Sequence, residues 1–309
     1  MKVSVIIPNF NHAPYLRERI DSVLSQTLTD MEVFLLDDCS TDDSRAVMES
    51  YRHDPRVRQI IFNEHNSGNT FLQWQRGFAL AQGEYLWVAE SDDAAEPNFL
   101  ETLVGELDRN PQAVLAYSHS RMVGSQGEPL DFTWHPKGSS GKILTYDGPW
   151  FNRHRMIVQN NVYNASMVVF RKSALAAIPA DYQQYRYCGD WLFWVGVCEQ
   201  GQVIEVCRVL NRYRQHPQKV TANSQLDGRK WRDIGGILRH FITLFHLTPL
   251  QQRCLRGRWT KRFNKESRGI LATSPALLDI RSTFPDLYAG TSLDIFLYEF
   301  CKPFGFLKQ

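Results

Sequence analysis

Through the first 120 residues, short apolar runs that end in polar residues alternate with segments of helical period. That alternation limits the chain to an α/β sheet. Residues 3–7 are a β-branched run closed by Pro8, the pattern of a strand buried on both faces. Pro14 is placed to open a helix with Leu16, Ile20, Val23 and Leu24 on one face. A second strand, residues 32–36, runs into Asp37-Asp38, and Ser40 or Thr41 is positioned to cap a helix reaching about Tyr51. Residues 57–62 form a third strand, and a helix over 70–82 is expected to stop at Gly83 in a left-handed C-cap. A fourth strand, 84–89, delivers Glu90-Ser91-Asp92-Asp93; Pro97 starts another helix and 113–117 another strand. Residues 124–153, rich in Gly, Pro and Ser, read as a long loop. Beyond it, 165–170 and 203–210 read as strands, 191–199 as a helix, and the chain past about Thr221 as helical and basic.

In open α/β sheets, ligands bind at the carboxyl ends of the strands. Three of those ends are polar here: Asn9-Phe10-Asn11, Asp37-Asp38 and Glu90-Ser91-Asp92-Asp93. None carries GxGxxG or GxxxxGK[ST], which argues against a dehydrogenase or a P-loop NTPase. Adjacent carboxylates repel one another unless a cation or a donor intervenes. Mg²⁺ or Mn²⁺ would accept one or two of them and complete its shell with substrate phosphates. The competing reading is turn chemistry and capping ahead of the Pro97 helix. Asp38 is open to a ligand donor or to bracing the Ser40-Thr41 turn, and Asp190, ahead of an apolar run, is equally a helix cap. His216 fits an ordinary loop histidine as well as a ligand contact.

The motifs taken together, from residues 3–11, Asp37-Asp38-Cys39-Ser40-Thr41-Asp42, Gly83-Glu84-Tyr85 and Ser91-Asp92-Asp93 to Cys188-Gly189-Asp190-Trp191 and Tyr213-Arg214-Gln215-His216, are similar to the family 2 glycosyltransferases. The resemblance covers about residues 1–220. It implies the GT-A fold, a Rossmann-like, mostly parallel sheet flanked by helices, here with a C-terminal helical appendage. It implies a catalytic domain over residues 1–222 and a basic, mainly helical extension over 223–309. It also implies inverting transfer of a sugar from a nucleotide-diphospho-sugar, UDP-linked ahead of dTDP or GDP, to a glycan or lipid-linked acceptor in polysaccharide or cell-envelope synthesis.

Carried over residue by residue, Pro8, Asn9 and Asn11 line the nucleotide site with Phe10 near the base. Asp38 accepts from the base edge, Asp92 lies at the ribose or metal, and Asp93 ligates Mg²⁺ or Mn²⁺. Arg214 and His216 close over the diphosphate, His216 as a further metal ligand, and Asp190 is the general base. The chain departs from the family pattern at Glu90, where Asp is usual, and at Gly189, where Glu is usual; Asp181 is a distant alternative base. A non-catalytic sugar-nucleotide or glycan-binding relative would have lost Asp190 or Asp93, and neither is lost. A nucleotidyltransferase would need a Gly-rich phosphate segment near the first strand, which is missing.

Charge is uneven. Residues 208–268 carry 15 Lys and Arg against three acids, leaving 20 against 30 elsewhere. Arg253, Arg256, Arg258, Lys261, Arg262, Lys265 and Arg268 interleave with Trp259 and Phe263, and Phe296, Tyr298, Phe300, Phe304 and Phe306 follow. Such a stretch suits either packing of the appendage or peripheral contact with an anionic membrane face. No nucleic-acid module is present. With no run long enough to span a bilayer, no secretory signal before Pro8, and six cysteines without CxxC pairing, a cytoplasmic setting is expected.

Overall fold

The computed structural model describes residues 1–135, 140–217 and 228–301. Its contacts divide the chain into two compact units, one of residues 1–148, 162–183 and 196–216, the other of 149–161, 184–195 and 217–309. The expected boundary at residue 222 lies outside the described residues, as do Phe304 and Phe306.

The first unit is built on one mixed sheet with strand order β3-β2-β1-β4-β8-β6-β9-β5 and β7 added against β9. Strands β1 (Val3–Asn9), β2 (Met31–Asp37), β3 (Val57–Phe62) and β4 (Tyr85–Val88) are mutually parallel. Every residue of β1, β2 and β4 is buried, as their unbroken apolar runs require, whereas β3 at the edge is partly exposed. Helices α1 (Ala13–Leu24), α2 (Ser44–Glu49) and α3 (Thr70–Leu80) make the crossovers. Leu16, Ile20 and Val23 of α1 are fully buried, each contributing roughly 1.5–3 kcal/mol by leaving water.

Two local expectations fail. Helix α2 starts after Asp43, not at Ser40 or Thr41, because Ser40 is drawn back: its N–H donates to Asp37 Oδ2 at 3.0 Å. Helix α3 ends at Leu80 with an extended Ala81, and Gly83 is no left-handed cap. Gly83 is required by proximity instead, since a Cβ there would sit 2.6 Å from the Ser4 backbone nitrogen. Ser4 Oγ accepts the Gly83 N–H at 2.8 Å and donates to buried Glu32 at 2.6 Å.

The far half of the sheet draws on distant chain. The two-residue β5 (Ala94–Ala95) precedes α4 (Phe99–Arg109), and β6 (Ala113–Val123) follows. The presumed loop over 124–153 contains a strand, β7 (Ile143–Asp147), and the short α5 (Gly148–Phe151), so only part of it is irregular. Strand β8 (Val168–Arg171) runs antiparallel to β4 and β6, which interrupts the parallel order. Residues 165–167, expected as strand, are a 3-10 turn. After α6 (Gly189–Cys198), the long β9 (Gln202–Arg214) pairs parallel with β6 and antiparallel with β5 and β7.

The second unit is helical. Helices Arg229–Leu244, Pro249–Glu266, Pro275–Thr283 and Ser292–Cys301 surround an aromatic core of Trp231, Phe241, Trp259, Phe263 and Tyr288. Thr248 and Gln251 close a capping box at the start of the second of these helices. Trp259 and Phe263, interleaved with the basic residues, are thus core residues. Arg253 is paired with Asp294 and Lys261 with Glu299. Among the described residues, no helix is long and apolar enough to cross a membrane.

Candidate active site

The carboxyl ends of β1, β2 and β4 and the end of β9 bring most of the expected residues together in the first unit. Asn9 is buried, and its side-chain amide donates to Asp37 Oδ1 and Ser40 Oγ, both at 3.1 Å. Pro8 is buried within β1, and Phe10 beyond its end is 45% exposed, a ring face open to solvent. Asn11, at φ 55°, turns its Oδ1 toward the Thr41 N–H at 2.7 Å.

Asp37, not Asp38, braces the Ser40 turn. Asp38 holds the following loop: its Oδ1 accepts from Asn63, the Ser67 N–H and Gln73 at 2.7–2.9 Å, and its Oδ2 accepts from Ser67 Oγ at 2.8 Å. The carboxylate therefore fixes the polar segment 63–69 against the end of β2.

The acidic end of β4 splits into distinct environments. Asp93 is buried, accepting the Arg214 N–H at 2.9 Å and the Asn164 amide at 2.7 Å. Asp92 Oδ2 lies 3.0 Å from His216 Nε2. His12, which the sequence reading passed over, closes the group: its Nδ1 meets Ser91 Oγ at 2.8 Å and its ring stands 5.4 Å from that of His216. One ligand atom each from His12, Asp92 and His216 falls within 4.8 Å of the others. The Nδ1 of His216 is buried and has no hydrogen-bond partner among the described residues, an orphaned donor–acceptor beside the cluster.

Glu90 is pushed up to about 8, first by desolvation and then by the charges of Asp92 and Asp93, while the Trp74 indole N–H donates to it at 2.9 Å. A carboxyl at this position thus favours its protonated form at neutral pH.

Two arginines frame these carboxylates. Buried Arg19, also missed, donates its Nε–H to the Glu90 carbonyl at 2.9 Å and places its charge among Glu90, Asp92 and Asp93. The only trace of it in the sequence is a charged residue beside the apolar stripe of α1. Arg214 is 2% exposed, donating to the carbonyls of Asp92, Gly124 and Ser125 and pairing with Glu18; its guanidinium lies 4.9 Å over the Tyr15 ring. It ties the end of β9 to the end of β4.

The scan of family models matches residues 4–174 to "Glycosyl transferase family 2". The chain belongs to this family. The family 2 model thus ends before Asp190 and Arg214. An uncharacterized glycosyltransferase of Haemophilus influenzae is 26% identical over 232 residues, 71% of this chain and 67% of that protein. The putative teichuronic acid biosynthesis glycosyltransferase TuaG of Bacillus subtilis is 30% identical over 145 residues, 47% of this chain and 55% of TuaG. Among solved structures, S. aureus TarS 1–349 in complex with UDP-GlcNAc has a TM-score of 0.58 at 16% identity, covering 97% of this chain and 91% of that one. At that identity the likeness shows the fold alone, a GT-A fold with additional C-terminal helices.

Asp190 belongs to the second unit and is the second residue of α6, which starts at Gly189, so it lies inside the helix and is not the cap ahead of Trp191 that the sequence suggested. Burial drives its carboxyl up to about 7, opposed by the Trp191 N–H and by the Asn160 amide at 2.9 Å. The segment before it is held by Asp233, which accepts the Tyr187 N–H at 2.7 Å. Trp191 anchors the helix start by donating to the Met156 carbonyl at 2.7 Å. Neither Asn160 nor Asp233 was legible in sequence, since each acts across a long chain separation. Asp181 is exposed.

Proposed function

We propose that this family 2 glycosyltransferase moves a sugar, with inversion, from a UDP-sugar to a hydroxyl of a glycan or lipid-linked acceptor in cell-envelope polysaccharide synthesis. The observation that carries the reading is the His12–Asp92–His216 group, seated at the strand ends of a GT-A sheet that has no phosphate loop. The relatives TuaG and TarS support the substrate class.

The donor set fits a divalent cation: one carboxylate, two imidazoles and an orphaned Nδ1 on one of them. Two imidazoles favour Mn²⁺ over Mg²⁺, which prefers an oxygen shell. When bound, such an ion supplies positive charge against the departing nucleotide diphosphate. Asp93 adds negative charge behind Asp92, and Arg19 limits the repulsion among them. Pro8, Asn9, Phe10, Asn11 and Asp38 hold the nucleotide base and ribose, with Arg214 fixing the Asp92 main chain that meets it.

Asp190 takes the proton of the acceptor hydroxyl as that oxygen attacks the anomeric carbon. The bond to the diphosphate oxygen breaks on the opposite face, and one displacement inverts the centre. A carboxyl held near 7 is suited to a general base at neutral pH. Peripheral contact with an anionic membrane is supported by the last described helix, which exposes Leu293, Phe296 and Phe300 on one face beside the basic helix.

A thermal-shift panel of UDP-, dTDP- and GDP-sugars with and without Mn²⁺ tests the donor. Stabilisation by UDP-sugars that requires Mn²⁺ is expected, about 2.7 kcal/mol at a hundredfold excess over Kd. Equal response to all three nucleotides, or to none, overturns the UDP assignment.

A further inference from the structure

Away from the strand-end acids, the first unit buries a second set of metal-binding side chains. Glu205 and Cys207 stand two residues apart on β9 and so face the same side of the sheet, and His119 lies on the adjoining β6. All three are buried, and one ligand atom from each falls within 4.8 Å of the others. His119 Nε2 meets Glu205 Oε1 at 3.0 Å.

A supporting layer surrounds them. Tyr146 donates its hydroxyl to Glu205 Oε2 at 2.9 Å, and the His135 ring stacks on His119 at 3.8 Å, nearly parallel at 11°. His135 is itself fixed, its Nε2 accepting the Ser120 N–H at 2.7 Å and meeting the Tyr163 hydroxyl. Partners of this kind orient ligands and raise their basicity.

We propose that His119, Glu205 and Cys207 form a buried site for a zinc-class divalent ion, separate from the nucleotide-sugar chemistry. Thiolate, imidazole and carboxylate together are a zinc ligand set. Ligand bonds of roughly 2.0–2.3 Å place tetrahedral ligand atoms roughly 3.3–3.8 Å apart, a spacing within reach of three atoms that lie within 4.8 Å of one another. Charge balances as well. One carboxylate, one thiolate and a neutral imidazole meet two positive charges, leaving the buried group neutral. On uptake the Cys207 S–H bond breaks, a sulfur–metal bond forms, and the proton leaves to buffer. Water completes the fourth position.

Chelator-stripped full-length protein is titrated with Zn²⁺ against a chromophoric competitor and, separately, with Co²⁺ followed by absorption. The His216→Ala background removes the strand-end imidazole, so that group does not contribute. One tight Zn²⁺ per chain is expected, together with a thiolate-to-cobalt charge-transfer band. Cys207→Ser abolishes the band, and His119→Gln weakens Zn²⁺ by more than about tenfold, the least that losing even an outer-shell partner costs. No thiolate band in the parent protein overturns the site without recourse to any variant. A band that survives in Cys207→Ser assigns the metal to another cysteine and overturns it equally. Should Cys207→Ser fail to fold, the His119→Gln titration decides: unchanged Zn²⁺ affinity there overturns the proposal. None of these readings uses transfer activity, so their outcome is independent of the donor assignment.

Discussion

The strand-end acids of the first unit and Asp190 of the second show two ways of preparing a carboxyl group. Asp93 receives a backbone N–H and an amide and is sealed within the sheet, with a buried arginine lending charge nearby. Asp190 has the N–H of Trp191 and one amide, and desolvation outweighs them, lifting it to about 7. The two carboxyls accept alike, one backbone N–H and one amide each; what sets them apart is the buried Arg19 charge beside the strand-end acids, whereas desolvation governs Asp190.

The largest effect expected from breaking this contrast is on turnover. Asp190→Asn keeps the side-chain size in the first turn of α6 but removes the proton acceptor, and transfer should fall by about 10²- to 10⁴-fold while UDP affinity holds. Retained activity would leave Asp190 a purely structural role in the first turn of α6 and send the search to Asp181. The pH profile sharpens the same point, since kcat/KM should rise about tenfold per pH unit up to about 7 and then level.

Next in size is metal-coupled binding. Asp92→Asn or His216→Ala should cost UDP affinity measured in Mn²⁺ and little in EDTA. Equal loss in both conditions would show that the nucleotide is held without the ion.

Stability should move in opposite directions in the two regions. A carboxyl whose folded value is raised binds protons the unfolded chain has released, so its contribution is fully present below about 4 and is lost as pH rises through about 7. Asp190→Asn should therefore raise stability at pH 8 relative to wild type by at most ~4 kcal/mol, read as a higher melting temperature. Gly83→Ala, by contrast, presses a methyl group on the Ser4 backbone and should lower stability by ~1–3 kcal/mol at any pH, measured by urea unfolding.

The smallest effect concerns the basic second unit. Vesicle cosedimentation should rise modestly with anionic lipid and fall with salt, because Arg253 and Lys261 are already paired. Phe296→Ser with Phe300→Ser should abolish it; binding indifferent to both substitutions would remove the last helix from the contact.

What was legible in the sequence follows the same divide. The parallel strands could be read because burial on both faces leaves an unbroken apolar run, as in residues 3–7. The ends of those strands could be read because polar residues stood where a core should continue. Strand β7 could not, because it alternates exposure against β9 within a segment dominated by turn formers. Nor could His12 or Arg19, whose roles depend on partners 79 and 71 residues away. Trp259 and Phe263 left two readings open, because a membrane-facing pattern and a helix that buries one face show the same spacing; the structure bears out packing for these two.

The dependence of Asp93 on distant chain bears on how the protein comes into being at the ribosome. Two donors to it, Asn164 and Arg214, stand 71 and 121 residues downstream, whereas the parallel strands β1 to β4 are complete by Val88. During synthesis the N-terminal sheet emerges with Arg19 already available to the acids but before the Asn164 and Arg214 donors, and the loop-closure cost of bringing those to Asp93 is met only when β9 arrives. A truncated or stalled chain ending before Arg214 therefore carries the family's sequence motifs without a formed donor site, so nucleotide binding reports completion of the fold as well as its chemistry.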